Sequence, residues 1–212
     1  MSVIFTACYL RRGVLSPWAS RKFLHSMIGN LPLIMPFFTR RIFPLLVSIT
    51  FIVVTFLVTP YSPLSWLRRR MGGLSDITGE GHNMGLVLYA ISYSVLAYLF
   101  GTRPYIVAAG IFPMAYGDST ATLIGMRYGN RRIGGKSLEG CVGMFIGSLV
   151  SLTLGMGYFS FLYGFSLIDQ VFPISIVALF VTLLELISPD GLDNLFVPIL
   201  GALTFVYLGG GT

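Results

Sequence analysis

Charge is scarce in this chain. Asp, Glu, Lys and Arg supply 10% of its 212 residues, whereas a soluble globular domain carries about one quarter. An ordinary soluble fold is therefore excluded. Cysteine is nearly absent, with two residues, Cys8 and Cys141, both in or beside apolar segments. A disulfide framework or a cysteine-built metal site is not expected, and buried thiols are. Alternating apolar and polar strands are missing too, which excludes a β-barrel. No internal repeat is visible, and nothing marks a second domain.

What remains is long apolar runs. Hydrophobic residues make up 55% of the chain, and mean hydropathy is +0.82. Seven apolar segments can be read: His25–Thr39, Ile42–Pro60, Met84–Gly101, Pro104–Gly125, Leu138–Gly164, Val171–Ile187 and Asn194–Gly210. About 20 residues of helix cross the hydrocarbon of a bilayer. Six segments are long enough with tilt or local thinning. The first is short and carries Pro32 and Pro36, so it should be broken or tilted. The expected fold is all-α: a polytopic integral membrane bundle of about seven helices, with residues 1–212 as one catalytic domain. The first ten residues are apolar but too short to span. They lack a basic n-region and read as an interfacial stub, not a signal peptide.

The net charge of +6 is not a nucleic-acid signal, because the basic residues sit in small groups between apolar segments. If the segments alternate, one face receives Arg11, Arg12, Arg21, Lys22, Arg68, Arg69, Arg70, Arg127, Arg131, Arg132 and Lys136. The other receives only Arg40, Arg41 and Arg103. The positive-inside rule then makes the basic face, and the N-terminus with it, cytoplasmic. The acids follow. Asp76, Glu80, Asp118, Glu139, Glu185, Asp190 and Asp193 fall at that face, as do His25 and His82, and only Asp169 falls outside. Acidic residues contribute little to membrane orientation, so a shared site at the cytoplasmic boundary is the economical explanation.

The centre of that site is the stretch Tyr116–Gly140, YGDSTATLIGMRYGNRRIGGKSLEG. Gly117, Ala121 and Gly125 recur every four residues, a small-residue stripe that lets another helix approach closely. Asp118 and Thr122 lie one turn apart on the adjacent stripe, so Asp118 faces the bundle interior. An ionisable residue there is by default functional, as a metal- or phosphate-handling carboxylate. In the following loop, Gly129, Gly134 and Gly135 let backbone N–H groups approach an anion. Lys136 adds a point charge, and the start of the fifth segment adds a helix N-terminus. That combination suits a nucleotide phosphate. The run GNRRIGGKS looks like a Walker A loop, but Gly129 stands one residue too far from Gly135. A membrane segment also precedes it instead of a strand, so a P-loop fold is rejected. Gly143 and Gly147 form a GxxxG packing pair. Elsewhere, His25 sits four residues after Arg21, Glu185 lies inside the sixth segment, and Asp193 is a plausible N-cap for the seventh.

The ordered blocks resemble a known family. Asp118, Ala121 and Gly125 match Asp-x-x-Ala-x-x-x-Gly, and Lys136, Ser137, Glu139 and Gly140 match Lys-Thr-x-Glu-Gly with serine in the threonine place. This resembles the nucleotide-binding signature of the CTP-dependent lipid-alcohol kinases, which include dolichol, phytol and CTP-using diacylglycerol kinases. Arg21, Lys22 and His25 are similar to that family's early Arg-Lys-x-x-His element. Glu185 with Asp193 and Asn194 is similar to its late Glu…Asp-Asn element. Some members carry two lysines where Gly135 and Lys136 stand here. The late signature of phosphatidate cytidylyltransferases is absent, and the chain's size resembles phytol-kinase-like members.

The resemblance implies a phosphotransferase that moves phosphate from CTP to the hydroxyl of a long-chain isoprenoid alcohol at the cytoplasmic face. Asp118 and Glu139 would hold Mg²⁺, with Asp193 a third ligand. Lys136 and the backbone of Gly134, Gly135 and Ser137 would cradle the phosphates, near Gly125 and Asn194. His25 or Glu185 would serve the alcohol as general base. The implied partners are CTP, a membrane lipid alcohol and the bilayer, with no nucleic acid. A diacylglycerol kinase and a CDP-lipid synthase are the rival enzyme readings. A small transporter is a third, but it requires acids through the membrane depth, and here they crowd one face.

Overall fold

The computed structural model describes residues 25–38, 40, 42–57, 59–64, 66, 84–133, 135–189 and 191–212. The expectations placed on Cys8, Arg11, Arg12, Arg21, Lys22, Arg41, Arg68, Arg69, Arg70, Asp76, Glu80, His82, Gly134 and Asp190 lie outside the described residues. Among the described residues the architecture is helical apart from one small hairpin. A helical turn at 25–28 leads to α1 (Leu31–Ile34), which runs into a 3₁₀ turn, Met35–Phe37. Next come α2 (Ile42–Leu57), α3 (Gly85–Phe100) and α4 (Pro104–Phe112). A π turn, Pro113–Gly117, continues into α5 (Asp118–Tyr128). The antiparallel strands β1 (Arg132–Ile133) and β2 (Lys136–Ser137) pair Arg132 with Ser137. Then follow α6 (Leu138–Tyr163), α7 (Val171–Ile187) and α8 (Asp193–Tyr207).

The apolar segments after the first became helical close to their expected bounds, because Gly and Pro mark most of the ends. Pro104 opens α4, where its missing N–H costs nothing. Gly164 closes α6 at φ +77°, a conformation open to glycine. Pro32 and Pro36 break the first segment into short pieces, as expected. The fourth segment differs from expectation. Pro113 interrupts it, and the Asp118 N–H donates to the Pro113 carbonyl, five residues back. This π turn re-aims the helix immediately before Asp118, and such bulges gather at functional sites.

The rod formed by α4 and the π turn is central. All of Ile106–Phe112 is buried. It is packed by α3, α6 and α8, with α7 bridging α6 and α8, and α2 outside α3. Small residues set how close the helices come. A Cβ on Gly143 would lie 3.2 Å from the Ala121 Cα, and one on Gly147 would lie 3.1 Å from the Gly117 Cα. The Gly117–Ala121–Gly125 stripe therefore rests directly on the backbone of α6. At the α4–α8 crossing, a Cβ on Gly110 would lie 2.2 Å from the Pro198 carbonyl oxygen.

Gly110→Ala should thus destabilise the fold by about 1–3 kcal/mol through overpacking. The gain in helix propensity of about 1 kcal/mol reduces that cost without cancelling it. A lower thermal midpoint of the detergent-solubilised variant checks this.

The outer surface is apolar as well. Val142, Ile146, Val150, Leu154 and Phe161 are exposed along α6, and Phe43, Leu46, Val47, Ile49 and Val53 along α2. Among the described residues, α6 alone is long and apolar enough to cross a membrane, at 26 residues and mean hydropathy 1.6. The helices α2, α3, α7 and α8 are apolar but shorter.

Candidate active site

The helix ends that meet at one pole of the bundle enclose a cavity of about 530 Å³. Its wall is built from the 25–28 turn, α5, the hairpin, the N-termini of α6 and α8, and the C-terminal turn of α7. His25, Asp118, Gly125, Gly135, Lys136, Ser137, Glu185, Asp193 and Asn194 all line it. These residues span most of the chain, and the fold brings them to one place.

Asp118 begins α5 and is 7% exposed. The Thr122 hydroxyl donates to its backbone carbonyl at 2.7 Å and lies 3.4 Å from its Oδ1. The π turn that aims Asp118 is tied to the chain around His25. The Tyr116 hydroxyl donates to Asn30 Oδ1 at 2.6 Å, and the Ser26 hydroxyl donates to the Ala115 carbonyl at 3.2 Å. His25 itself is 5% exposed, and its ring stacks on Tyr89 at 4.9 Å between centroids.

Lys136 reaches from β2 to the end of α7. Its Nζ lies 2.5 Å from Glu185 Oε1 and also donates to the Glu185 backbone carbonyl. The side chains are 21% and 9% exposed respectively. The last four carbonyls of a helix have no intrahelical donor, and a cation there meets the negative end of the helix dipole. Lys136 therefore caps α7 while pairing with the acid beside the cap.

Ser137 is the N-cap of α6, and its hydroxyl accepts from the Gly140 N–H at 3.0 Å. A Cβ on Gly125 would lie 2.8 Å from that oxygen, so glycine lets α5 pass the α6 N-terminus. Glu139 does not line the cavity. Its Oε2 faces the backbone N–H groups of Asn130 at 3.2 Å and Arg131 at 3.4 Å. The first turn of α6 points it toward the basic loop, so it fastens the hairpin. The loop follows a helix, α5, and not a strand, which agrees with rejecting a P-loop.

Gly191 turns the chain into α8 at φ +91°. Leu192 takes the N-cap position without a side-chain cap, and Asp193 is the first helical residue. The expected N-cap role for Asp193 is corrected by one position, because the turn closes on Leu192. Asp193 Oδ1 instead accepts from the Asn194 backbone N–H at 2.9 Å and from Asn194 Nδ2 at 3.0 Å. Asn194 Nδ2 also donates to the Gly191 carbonyl at 3.3 Å. Asn194 Oδ1 is buried with no hydrogen-bond donor. Four residues on, Pro198 has no N–H to give the Asn194 carbonyl. This corner of the cavity is rich in oxygen acceptors.

Among the described residues no three His, Cys, Asp or Glu side chains gather into a metal-binding group. Asp118, Glu139 and Asp193 do not form a three-carboxylate cage. The donor set of Asp118, Asp193 and the Asn194 amide oxygen still suits a hard cation. Mg²⁺ keeps several waters and needs only one or two carboxylates when substrate phosphates supply the rest.

Two residues, one in the wall and one behind it, were not anticipated in their roles. Cys141, expected to be a buried thiol, is half-buried and lines the cavity one turn into α6. Tyr89, which supports His25, is fully buried in α3. An aromatic in an apolar helix reads as core, so only its phenol hinted at a polar neighbour.

Phytol kinase from Synechocystis sp. is 34% identical to this chain over 139 residues. The chain is similar to a phytol kinase. The match covers 60% of this chain and 58% of that enzyme, less than two thirds of its length. No protein-family model and no solved structure matches the chain.

Proposed function

We propose that the protein is a membrane-embedded kinase that transfers a phosphoryl group from CTP to the hydroxyl of a long-chain isoprenoid alcohol. The observation that carries this reading is the cavity that unites Asp118, Lys136, Glu185 and Asp193 at one pole of a bundle with an apolar outer surface. The similarity to a phytol kinase supports it. Inserted in a bilayer, the exposed apolar faces of α2 and α6 meet lipid, and the cavity sits at the cytoplasmic boundary. A lipid alcohol then enters sideways with its hydroxyl at the depth of the site.

Phosphoryl transfer depends on positioning and on neutralising charge on the transferring group. Lys136 and the α6 N-terminus draw the nucleotide phosphates. Asp118 and Asp193, with Asn194 Oδ1, would hold Mg²⁺, which supplies positive charge against the phosphate oxygens. Lys136 leaves Glu185 for the phosphates, and Glu185 is then free to accept the alcohol proton. The alcohol oxygen bonds to the γ-phosphorus, the β–γ bridge breaks, and CDP departs. His25, held flat against Tyr89, orients the hydroxyl. Glu139, held on the loop N–H groups of Asn130 and Arg131, keeps the hairpin over the phosphates.

The test uses purified protein in detergent or nanodiscs with labelled CTP or ATP. Phytol, geranylgeraniol, diacylglycerol and phosphatidic acid serve as acceptors. CDP and a phosphorylated isoprenoid alcohol are expected, and chelation of divalent cations should stop their formation. Transfer to diacylglycerol alone would replace the acceptor. Release of pyrophosphate with a CDP-lipid would replace the reaction class, and a folded protein that transfers to no acceptor would overturn the kinase.

A further inference from the structure

Tyr89 carries a polar atom that the mechanism above leaves unused. The residue is 0% exposed, and its phenol oxygen has no hydrogen-bond partner among the described residues. An unpaired group in a core costs free energy, and natural proteins keep few of them. Two neighbouring phenols have already given their protons. The Tyr93 hydroxyl donates to Met35 Sδ at 3.2 Å, and the Tyr116 hydroxyl donates to Asn30 Oδ1 at 2.6 Å. Of these three donors, Tyr89 alone lacks an acceptor.

Its place ties it to the cavity. Gly85 and Leu86, in the first turn of α3, line the cavity. Tyr89 follows them by four and three residues, on the same helix face. Side chains lean toward the N-terminus of their helix, so the Tyr89 side chain reaches toward the cavity floor. Its ring lies 9° from parallel to His25, which is itself in the cavity wall. The Asp118 carboxylate is within electrostatic range of the phenol. A carboxylate is the strongest acceptor in this neighbourhood, and an O–H···O⁻ bond is roughly twice as strong as a neutral one. The Thr122 hydroxyl lies 3.4 Å from Asp118 Oδ1, longer than a firm O–H···O bond.

We propose that Tyr89 is a positioning residue for Asp118. In the loaded site its hydroxyl donates to one carboxylate oxygen and turns the other into the cavity. What loads the site, CTP with a divalent cation, rests on the kinase reading above. Without the nucleotide the hydroxyl stays unpaired, a cost in stability of the kind that active sites carry. The ring has a separate task, because its face supports His25 with or without the hydroxyl.

Tyr89→Phe and Tyr89→Leu separate the two tasks. Both are compared with wild type as full-length protein in nanodiscs. Thermal midpoints are measured with and without CTP and Mg²⁺, and kcat and KM with geranylgeraniol. Tyr89→Phe keeps the stack and removes an unpaired polar atom. Its midpoint without ligands should therefore equal that of wild type or exceed it by about 2–4 °C. Its kcat should fall about tenfold to a hundredfold, the scale of one hydrogen bond to a charged group, with KM for the alcohol unchanged. The rise in midpoint that CTP and Mg²⁺ give wild type should shrink in this variant. Full kcat or an undiminished rise in Tyr89→Phe would overturn the proposal, and losses confined to Tyr89→Leu would leave the ring as a platform for His25. A ligand-free midpoint for Tyr89→Phe several degrees below wild type would also overturn it, because the hydroxyl would then be holding the fold. A wild type that transfers to no alcohol would overturn the kinase reading. Tyr89 keeps its role in that case if the rise with CTP and Mg²⁺ still depends on its hydroxyl, and loses it if no rise occurs.

Discussion

Asp118→Asn should lower phosphoryl transfer by at least 10²–10³-fold while leaving the fold in place, on the scale seen when one charge-stabilising group is removed from a site. The substitution keeps the side chain's shape and replaces a carboxylate oxygen with an NH₂ group. The aspartate is buried at the first turn of α5, its carbonyl is engaged by Thr122, and the π turn that aims it hangs on Pro113. None of these contacts needs the negative charge. The loss should therefore appear in turnover, and more Mg²⁺ should be required for half-maximal rate. The thermal midpoint should stay within a few degrees of wild type. Near-wild-type turnover would remove Asp118 from the phosphate-handling machinery. Asp193→Asn should cost less, because Asn194 Oδ1 remains beside it as an acceptor.

How much of this could be read from residue order depends on which interactions are local. Helix existence is local: apolar runs between Gly and Pro became α2, α3, α6, α7 and α8 within a few residues of their expected ends. Close helix approach is nearly local. The Gly117, Ala121 and Gly125 spacing foretells a backbone contact, though not that Gly143 and Gly147 of α6 would fill it. The π turn was not read, because Pro113 inside an apolar run gives no sign of whether the helix will stop, kink or bulge. Glu139 shows the opposite limit. Its place three residues after Lys136 suggests a shared task, yet one turn of helix points the two side chains apart, toward the loop and toward α7. The pairing of Lys136 with Glu185, 49 residues on, has no local signature, since each alone is only an unexplained charge near an apolar segment.

That pair gives the sharpest separation of stability from activity. Lys136→Met removes the cation and leaves the Glu185 carboxylate, 9% exposed, without its counter-charge. Breaking a buried pair from one side costs about 3–5 kcal/mol, because the remaining charge stays desolvated. Glu185→Gln should cost less, since Lys136 is the more exposed partner and keeps the Glu185 backbone carbonyl as acceptor. The double variant Lys136→Met/Glu185→Gln should recover most of the stability lost in Lys136→Met, because no unpaired charge remains. Kinetics should not recover with it. Lys136→Met should raise the KM for CTP, because the phosphates lose their point charge. Glu185→Gln should lower kcat with little change in that KM, because the alcohol proton loses its acceptor. Thermal midpoints and full rate curves for the two single variants and the double variant separate these effects. If Lys136→Met is as stable as the double variant, the ion pair does not hold the hairpin to α7. If Glu185→Gln keeps its kcat, the proton goes elsewhere, and His25, stacked on Tyr89 in the same wall, is the remaining base.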